Sequence, residues 1–401
     1  MKIAIFHNLP SGGAKRALFE AVRHLSVKHQ FDVYTTSAAN HEFADLRPDA
    51  AAHKIYPFQP GQLYNSPFGR LNMLVRSRDL TRIQSLNQKI AAEIDQQEYD
   101  IVFVNPCQIE VSPSILSFIN RSPTLYYCQE PPRILYEEMP SRPYSEKSPR
   151  ARLADRLDPL PHHFYRRLKE NDRRNIQSAD LVLVNSKFMQ NNVSDIYGNS
   201  PQVCYLGTDA ALFQPLNLKK ERVVLSVGSL TQLKNFDFII QALGTIPAKQ
   251  RPPLWLASNF QNSPERAYLE ALAAQLGVKV IFLGNIDDQE LVRLYNTASV
   301  TAYTPLREPF GLVPLESMAC ETPVVTVAEG GMAETILENV TGWMVERDPV
   351  QLAEKIMYVL ENPQLAVEIG KNGRQHVIAN WTWEQAATRL DNYFNAVRQR
   401  N

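Results

Sequence analysis

Predominantly apolar runs of four to seven residues recur along the chain. Each is followed by a loop rich in Gly, Pro, Asn or Ser, and then by apolar residues spaced three and four apart. Residues 3–7, 99–104, 124–128, 179–185, 223–227, 254–257, 278–283, 300–304 and 324–327 have this form, and 32–36, 53–58 and 202–206 are further strand candidates. A strand covered on both faces reads as a continuous apolar run, and an intervening helix returns the chain for parallel pairing. The helices are equally legible. Leu18, Ala21, Val22 and Leu25 make one apolar stripe after Ala14, and Ala387, Leu390, Tyr393, Phe394 and Val397 make another over 384–398. A long polar helix is expected over 70–97, with Arg76, Arg78 and Arg82 on a solvated face. The pattern predicts an α/β chain of doubly wound parallel sheets.

Residues 217–222 are short, polar and charged between two apolar runs, and they mark a domain boundary. The organisation expected is a Rossmann-like domain over 1–216, a second over 217–380, and a terminal segment over 381–401. One stretch departs from the repeating pattern. Residues 147–174 hold nine Lys/Arg against four Asp/Glu, interleaved with Leu153, Leu157, Leu160, Phe164, Tyr165 and Leu168. Pro159 and Pro161 are expected to interrupt its amphipathic pattern, so it reads as a solvated helix–loop–helix. The functional alternative is a basic surface that touches anionic lipid and a lipid-linked acceptor.

Composition narrows the classes. A length of 401 residues with 44% hydrophobic content suits two ordinary domains. Lys+Arg and Asp+Glu are equal at 42 each, so nothing global attracts nucleic acid. The four cysteines, Cys107, Cys128, Cys204 and Cys320, are far apart in sequence, which points to buried thiols rather than a zinc site. Residues 2–6 read as a first strand rather than a secretory leader, and no apolar run approaches the length of a bilayer span. The expectation is a cytoplasmic protein, with residues 147–174 as its candidate contact with the inner face of a membrane.

Candidate chemistry concentrates between Tyr303 and Thr335, which read YTPLREPFGLVPLESMACETPVVTVAEGGMAET. Glu308 lies in the loop after a strand, and Glu316 lies eight residues on, within a helix that starts near Gly311. Between them Phe310, Gly311 and Leu312 place backbone N–H groups at a helix N-terminus, where a phosphate can bind. Carboxylates beside such a site suit the hydroxyls of a sugar or a ribose; by spacing alone they read equally well as solvated positions. Gly330-Gly331 is expected to open another helix. Upstream, residues 223–227 lead into Gly228, Ser229 and Leu230 and on to Lys234-Asn235 at a helix start, where a cation can neutralise a diphosphate. The first strand leads into Gly12-Gly13, which permits close backbone approach or simply a tight turn.

The Glu308–Glu316 spacing, the flanking MACETPVV and GGMAET, and the order of these loops resemble the E-x7-E glycosyltransferases of family four. These are retaining, nucleotide-sugar-dependent enzymes of the GT-B fold, with two Rossmann-like domains facing a cleft. The resemblance covers nearly the whole chain, is strongest over 222–346 and is patchier over 40–125. It implies that Glu308 contacts the donor hexose, Glu316 the ribose hydroxyls, and the Phe310, Gly311 and Leu312 amides the diphosphate. It gives Lys234 to the same diphosphate and Asn285 to the strand ends framing the nucleobase. Gly12, Gly13 and Gln129 fall to the acceptor side, and the last helix is implied to cross back onto the first domain. Two positions depart from the family. Ser229 stands where relatives usually carry Arg, and Gln129 stands where many carry a His, so no titrating base is available there. Arg307 is a candidate substitute for the missing cation. No D-x-D occurs, so no metal and no cofactor are expected. The function implied is transfer of a hexosyl group from a UDP- or GDP-sugar to a glycan or lipid-linked acceptor. The main alternative is a degenerate relative that binds nucleotide or glycan without turnover; an epimerase or a phosphorylase on the same architecture is more remote.

Overall fold

The computed structural model describes residues 1–65, 68–146, 148–149, 156–260 and 262–399. The chain divides into two compact units. One comprises Met1–Met139, Lys147–Tyr205 and Ala386–Asn401; the other comprises Pro140–Glu146 and Leu206–Gln385.

The first unit is built on seven strands: β1 (Lys2–Asn8), β2 (Gln30–Thr36), β3 (Ala52–Tyr56), β4 (Ile101–Cys107), β5 (Thr124–Tyr127), β6 (Leu181–Val184) and β7 (Gln202–Val203). Their order is β3-β2-β1-β4-β5-β6-β7 and every pairing is parallel. Order reverses between β1 and β4, which makes that pair the switch point of the sheet. All but the first residue of β1 is buried, as the unbroken run Ile3–His7 requires of a central strand. The helix Gly13–Leu25 buries Ala17, Leu18, Val22 and Leu25, the stripe its spacing predicts, with Ala17 taking the place expected of Ala21. The last helix, Trp383–Arg398, sets Phe394 edge-on to Phe103 of β4 at 5.3 Å, and its Asp391 bonds His29 at 2.7 Å.

The basic stretch differs from expectation. Residues 147 and 150–155 lie outside the described residues. From Pro159 to Gln177 the chain is one continuous helix, and the prolines begin it rather than interrupt it. Pro159 and Pro161 sit in the first turn, where a missing N–H costs nothing, and the Asp158 carboxylate caps the Leu160 amide at 3.0 Å. Phe164, Leu168 and Ile176 are buried, so this helix spends its apolar face on its own domain. Among the described residues no helix is long and apolar enough to cross a membrane.

The second unit carries six strands: β8 (Glu221–Val227), β9 (Leu254–Ala257), β10 (Val280–Leu283), β11 (Ala298–Tyr303), β12 (Val324–Val327) and β13 (Gly342–Val345). Their order is β10-β9-β8-β11-β12-β13, again all parallel, with its reversal between β8 and β11. One core of strand residues and helix faces lies within the unit, including Val224, Ile239, Leu256, Val300, Val325 and Trp343. The chain is thus α/β with two Rossmann-like domains. All four cysteines are buried free thiols. The Gly330-Gly331 pair does not open an α-helix. It forms a 3-10 turn, Gly330–Glu334, whose first residue has φ +68°.

Candidate active site

Ligands of open α/β sheets bind beyond the carboxyl ends of strands at the point where strand order reverses. In the second unit that point lies between β8 and β11, and the loops leaving those two strands carry Lys234 and Glu308. The sheet brings the pair together across 74 residues of sequence: Lys234 Nζ donates to Glu308 Oε2 at 2.8 Å, and their side chains are 21% and 17% exposed. Lys234 Nζ also donates to the Tyr303 hydroxyl at 3.1 Å. Burial by itself would lower the Lys234 pKa, but the Glu308 carboxylate, with Tyr303, more than reverses this and raises it. The lysine is therefore a fixed positive charge. Burial, then Glu308, drives the Tyr303 phenol upward, so that group stays protonated.

Backbone geometry holds these side chains. Lys234 ends the 3-10 turn Gln232–Lys234, and Asn235 follows in the left-handed region at φ +53°. Its aliphatic stem runs against Gly228 (φ +155°), where an added Cβ would stand 3.2 Å from Lys234 Cγ. The two loops are joined by the Leu306 amide, which donates to the Leu233 carbonyl at 2.9 Å. Glu308 is set by the glycine turn: the Gly331 amide donates to the Glu308 carbonyl at 2.9 Å, and a Cβ on Gly330 would stand 2.5 Å from that oxygen. Arg347, after β13, completes the brace. It pairs with both oxygens of Glu329 at 2.7 Å and donates to the Thr304 and Pro305 carbonyls at 3.1 and 2.9 Å.

The helix Leu312–Ala319 starts from Gly311 at φ +97° and receives no side-chain cap, so its first amides remain suited to an anion. Phe310 is buried beside Trp381, with ring centroids 5.8 Å apart. Glu316 is not the solvated helix residue that its spacing alone would allow. It is 9% exposed, and its Oε2 accepts from the Tyr295 hydroxyl at 2.8 Å. Ser229 is half-buried in the loop after Gly228, and its carbonyl accepts from the Thr231 amide at 2.7 Å. Arg307, the candidate substitute cation, is exposed at φ +47°. Asn285 lies after the edge strand β10, exposed at φ +56°, two strands away from β8; the loop there is held by Asn259, which exchanges hydrogen bonds with the Ile286 backbone.

In the first unit, Gly12 has φ +143° and leads into the helix Gly13–Leu25. Gln129 follows β5 and is half-buried; the Asn185 amide donates to its backbone oxygen and to its Oε1, both at 3.1 Å. Tyr303, Tyr295, Arg347 and Gly330 acquire site roles that sequence reasoning missed. The only trace of Tyr303 in the sequence was a polar group at the end of an apolar run. Arg347 lay in a loop with nothing to distinguish it from a solvated charge.

Residues 208–376 match the family model for glycosyl transferases group 1. The chain is 31% identical over 54% of its length to an uncharacterized glycosyltransferase of Methanocaldococcus jannaschii, and it spans 60% of that relative. It is 23% identical, over 98% of its length and 90% of the relative's, to an alpha-1,3/1,6-mannosyltransferase of Rhizomucor pusillus. Among solved structures it resembles Anabaena HepE in complex with UDP-glucose, with a TM-score of 0.71, 21% identity and coverage of 99% of this chain and 100% of that one. Residues 208–376, within the second unit, therefore resemble the glycosyl transferases group 1, and the chain as a whole resembles the GT-B glycosyltransferases of family four.

Proposed function

We propose that the chain transfers a hexosyl group from a UDP- or GDP-sugar to a hydroxyl of a glycan or lipid-linked acceptor, with retention at the anomeric carbon. The observation that carries this reading is the Lys234–Glu308 pair, placed at the strand-order reversal of the unit that carries the group 1 match, beside the uncapped start of Leu312–Ala319. Retention is carried over from the resemblance to family four. In the step proposed, the acceptor oxygen bonds to the anomeric carbon as the bond from that carbon to the diphosphate oxygen breaks. The acceptor proton passes to the leaving phosphate oxygen, and a nucleoside diphosphate is released. The protein's share is orientation and charge neutralisation. Lys234 and the first amides of Leu312–Ala319 hold the diphosphate. That anion replaces Glu308 as the counter-ion of Lys234, which frees the Glu308 carboxylate for the hydroxyls of the hexose. Glu316 takes the ribose in the same way, in exchange for Tyr295. The sequence offers no D-x-D clamp, and the reading uses neither a metal nor a cofactor.

Nucleotide binding without turnover is the second reading, and Ser229 favours it. With Ser in place of a second cation, one oxyanion-stabilising group is missing, commonly worth roughly 10²–10³ in rate. Calorimetric titration with UDP and with GDP, followed by an acceptor screen with the sugar of the nucleotide that binds, separates the two. Binding with sugar transfer supports the transferase. Binding with neither transfer nor donor hydrolysis supports the second reading, and binding of neither nucleotide sinks both.

A further inference from the structure

We propose that Arg142 is a positioning residue for the donor site, a guanidinium supplied by a sequence-remote segment that fixes the turn carrying Lys234. The inference rests on the transferase reading and deepens it. Pro140–Glu146 packs as part of the second unit although the 139 residues before it belong to the first. Arg142 is 6% exposed and makes a two-pronged pair with Asp237, Nη1 to Oδ2 at 2.8 Å and Nη2 to Oδ1 at 2.7 Å. Its Nε and Nη2 also reach Glu265 at 3.3 Å, and its guanidinium lies 5.0 Å from the centre of the Tyr268 ring. The Tyr144 hydroxyl donates to the same Glu265 at 2.6 Å.

The two acids have a common placement. Asp237 is in the first turn of the helix Phe236–Thr245, and Glu265 is in the first turn of Ser263–Leu276. One guanidinium therefore joins the amino ends of two helices, where carboxylates are favoured by the helix dipole. The first of these helices begins two residues after Lys234. Arg142 Nη2 also lies 3.5 Å from the carbonyl of Gln232, the first residue of the Lys234 turn. Lys234 is thus bracketed: the backbone before it and the side chain after it are both bound to Arg142. Apolar side chains could fill this buried volume at a lower desolvation cost than three ions. What a planar guanidinium adds is direction, because its paired N–H bonds fix angle as well as distance.

The test uses the full chain and two readouts. UDP and GDP are titrated calorimetrically into wild type, Arg142→Ala, Lys234→Ala and the double variant. Hydrogen exchange is followed over residues 229–240 without nucleotide. If Arg142 acts through Lys234, Arg142→Ala weakens the bound nucleotide at least tenfold, and the same change costs little in the Lys234→Ala background. Millimolar guanidinium restores part of the affinity of Arg142→Ala, and exchange quickens over 232–238 while β11 keeps its protection. Equal losses in both backgrounds, or unaltered exchange over 232–238, overturns the proposal. Should Arg142→Ala fail to fold, Arg142→Lys and Tyr144→Phe take its place in the same cycle. If wild type binds neither nucleotide, the transferase reading fails, and the exchange data alone decide whether Arg142 fixes the turn.

Discussion

At the residue scale the site depends on a few contacts whose removal has calculable consequences. Lys234→Ala leaves Glu308 without its cation and, in the proposed reading, the diphosphate without its neutralising charge. Glu308→Ala removes the carboxylate assigned to the hexose while leaving Lys234 bonded to Tyr303. Each is expected to lower turnover at least tenfold with circular dichroism and thermal unfolding close to wild type, and a wild-type rate in either would remove that residue from the site. Gly330→Ala is a sharper test, because it touches no ligand in the proposed reading. At φ +68° an alanine is strained, and its Cβ would stand 2.5 Å from the Glu308 carbonyl oxygen, so the Glu308 loop must move. A loss of at least tenfold in kcat with a folded protein is expected; unchanged kcat would mean that the position of Glu308 is not critical. Glu308, Glu316 and Lys234 could be nominated from the sequence because the motif and loop context that carry the family resemblance are local, although spacing alone left them equally readable as solvated positions. Tyr303, Tyr295 and Gly330 were not, since their contacts arise only when separate elements pack: Tyr303 meets Lys234 across the sheet, Tyr295 meets Glu316 from a neighbouring helix, and Gly330 meets the Glu308 backbone from the next loop.

Elements were more legible than boundaries. Continuous apolar runs identified the central strands, because burial on both faces leaves no alternation to misread. Errors arose where a local signal had two physical meanings. Proline disrupts a helix interior but suits a first turn, and at Pro159 and Pro161 the second meaning holds. Gly330-Gly331 resembled a helix start and instead supplies a turn against the Glu308 backbone. The clamp by Arg347 lives at this scale, since it ties the end of β11 to the segments after β12 and β13 through Glu329 and the Thr304 and Pro305 carbonyls. Hydrogen bonds from a charged donor contribute about 1.5–3 kcal/mol each, less where water can replace the partner. Glu329 is 36% exposed and can be rehydrated. Arg347→Met is therefore expected to destabilise the second unit by about 2–3 kcal/mol in guanidinium unfolding and to reduce nucleotide affinity. A variant within 0.5 kcal/mol of wild type (about the scatter of neutral surface substitutions) would show that the clamp does not hold the β11 loop.

At the scale of the whole molecule, two sheets of similar winding place a lysine near the strand-order reversal in opposite electrostatic settings. Lys234 faces a carboxylate at 2.8 Å and its pKa is raised. Lys15 is 1% exposed in the helix after β1 and lies 3.3 Å from His7 Nε2. Burial, offset only in part by the more distant Asp45, lowers its pKa from 10.5 to about 8, and burial and Lys15 together hold the His7 imidazole well below its usual value. His53 and His41 are the other titratable groups nearby, and His53 is itself lowered by burial. The hydrogen bonding gives the same direction. The Leu9 amide donates to His7 Nδ1 at 3.3 Å, so a neutral imidazole carries its proton on Nε2 and is best matched by an uncharged amine. Between about pH 8 and 10.5 the unfolded chain binds a proton at Lys15 that the folded chain does not, so stability rises with pH across that window. The full drop from 10.5 to about 8 corresponds to about 3.5 kcal/mol, of which about 3 kcal/mol falls between pH 7.5 and 10.5. Lys234, whose pKa is raised, keeps its proton in the folded chain and begins to lose it in the unfolded chain only near pH 10.5, so it contributes at most a small slope of the opposite sign at the top of the window. Denaturant unfolding at pH 7.5 and 10.5 should therefore show wild type gaining up to about 3 kcal/mol relative to Lys15→Met, and no comparable change relative to Lys234→Met. Differences between variants cancel the titration of the remaining groups, so parallel pH profiles for wild type and Lys15→Met would show that Lys15 keeps an ordinary affinity for its proton in the folded chain.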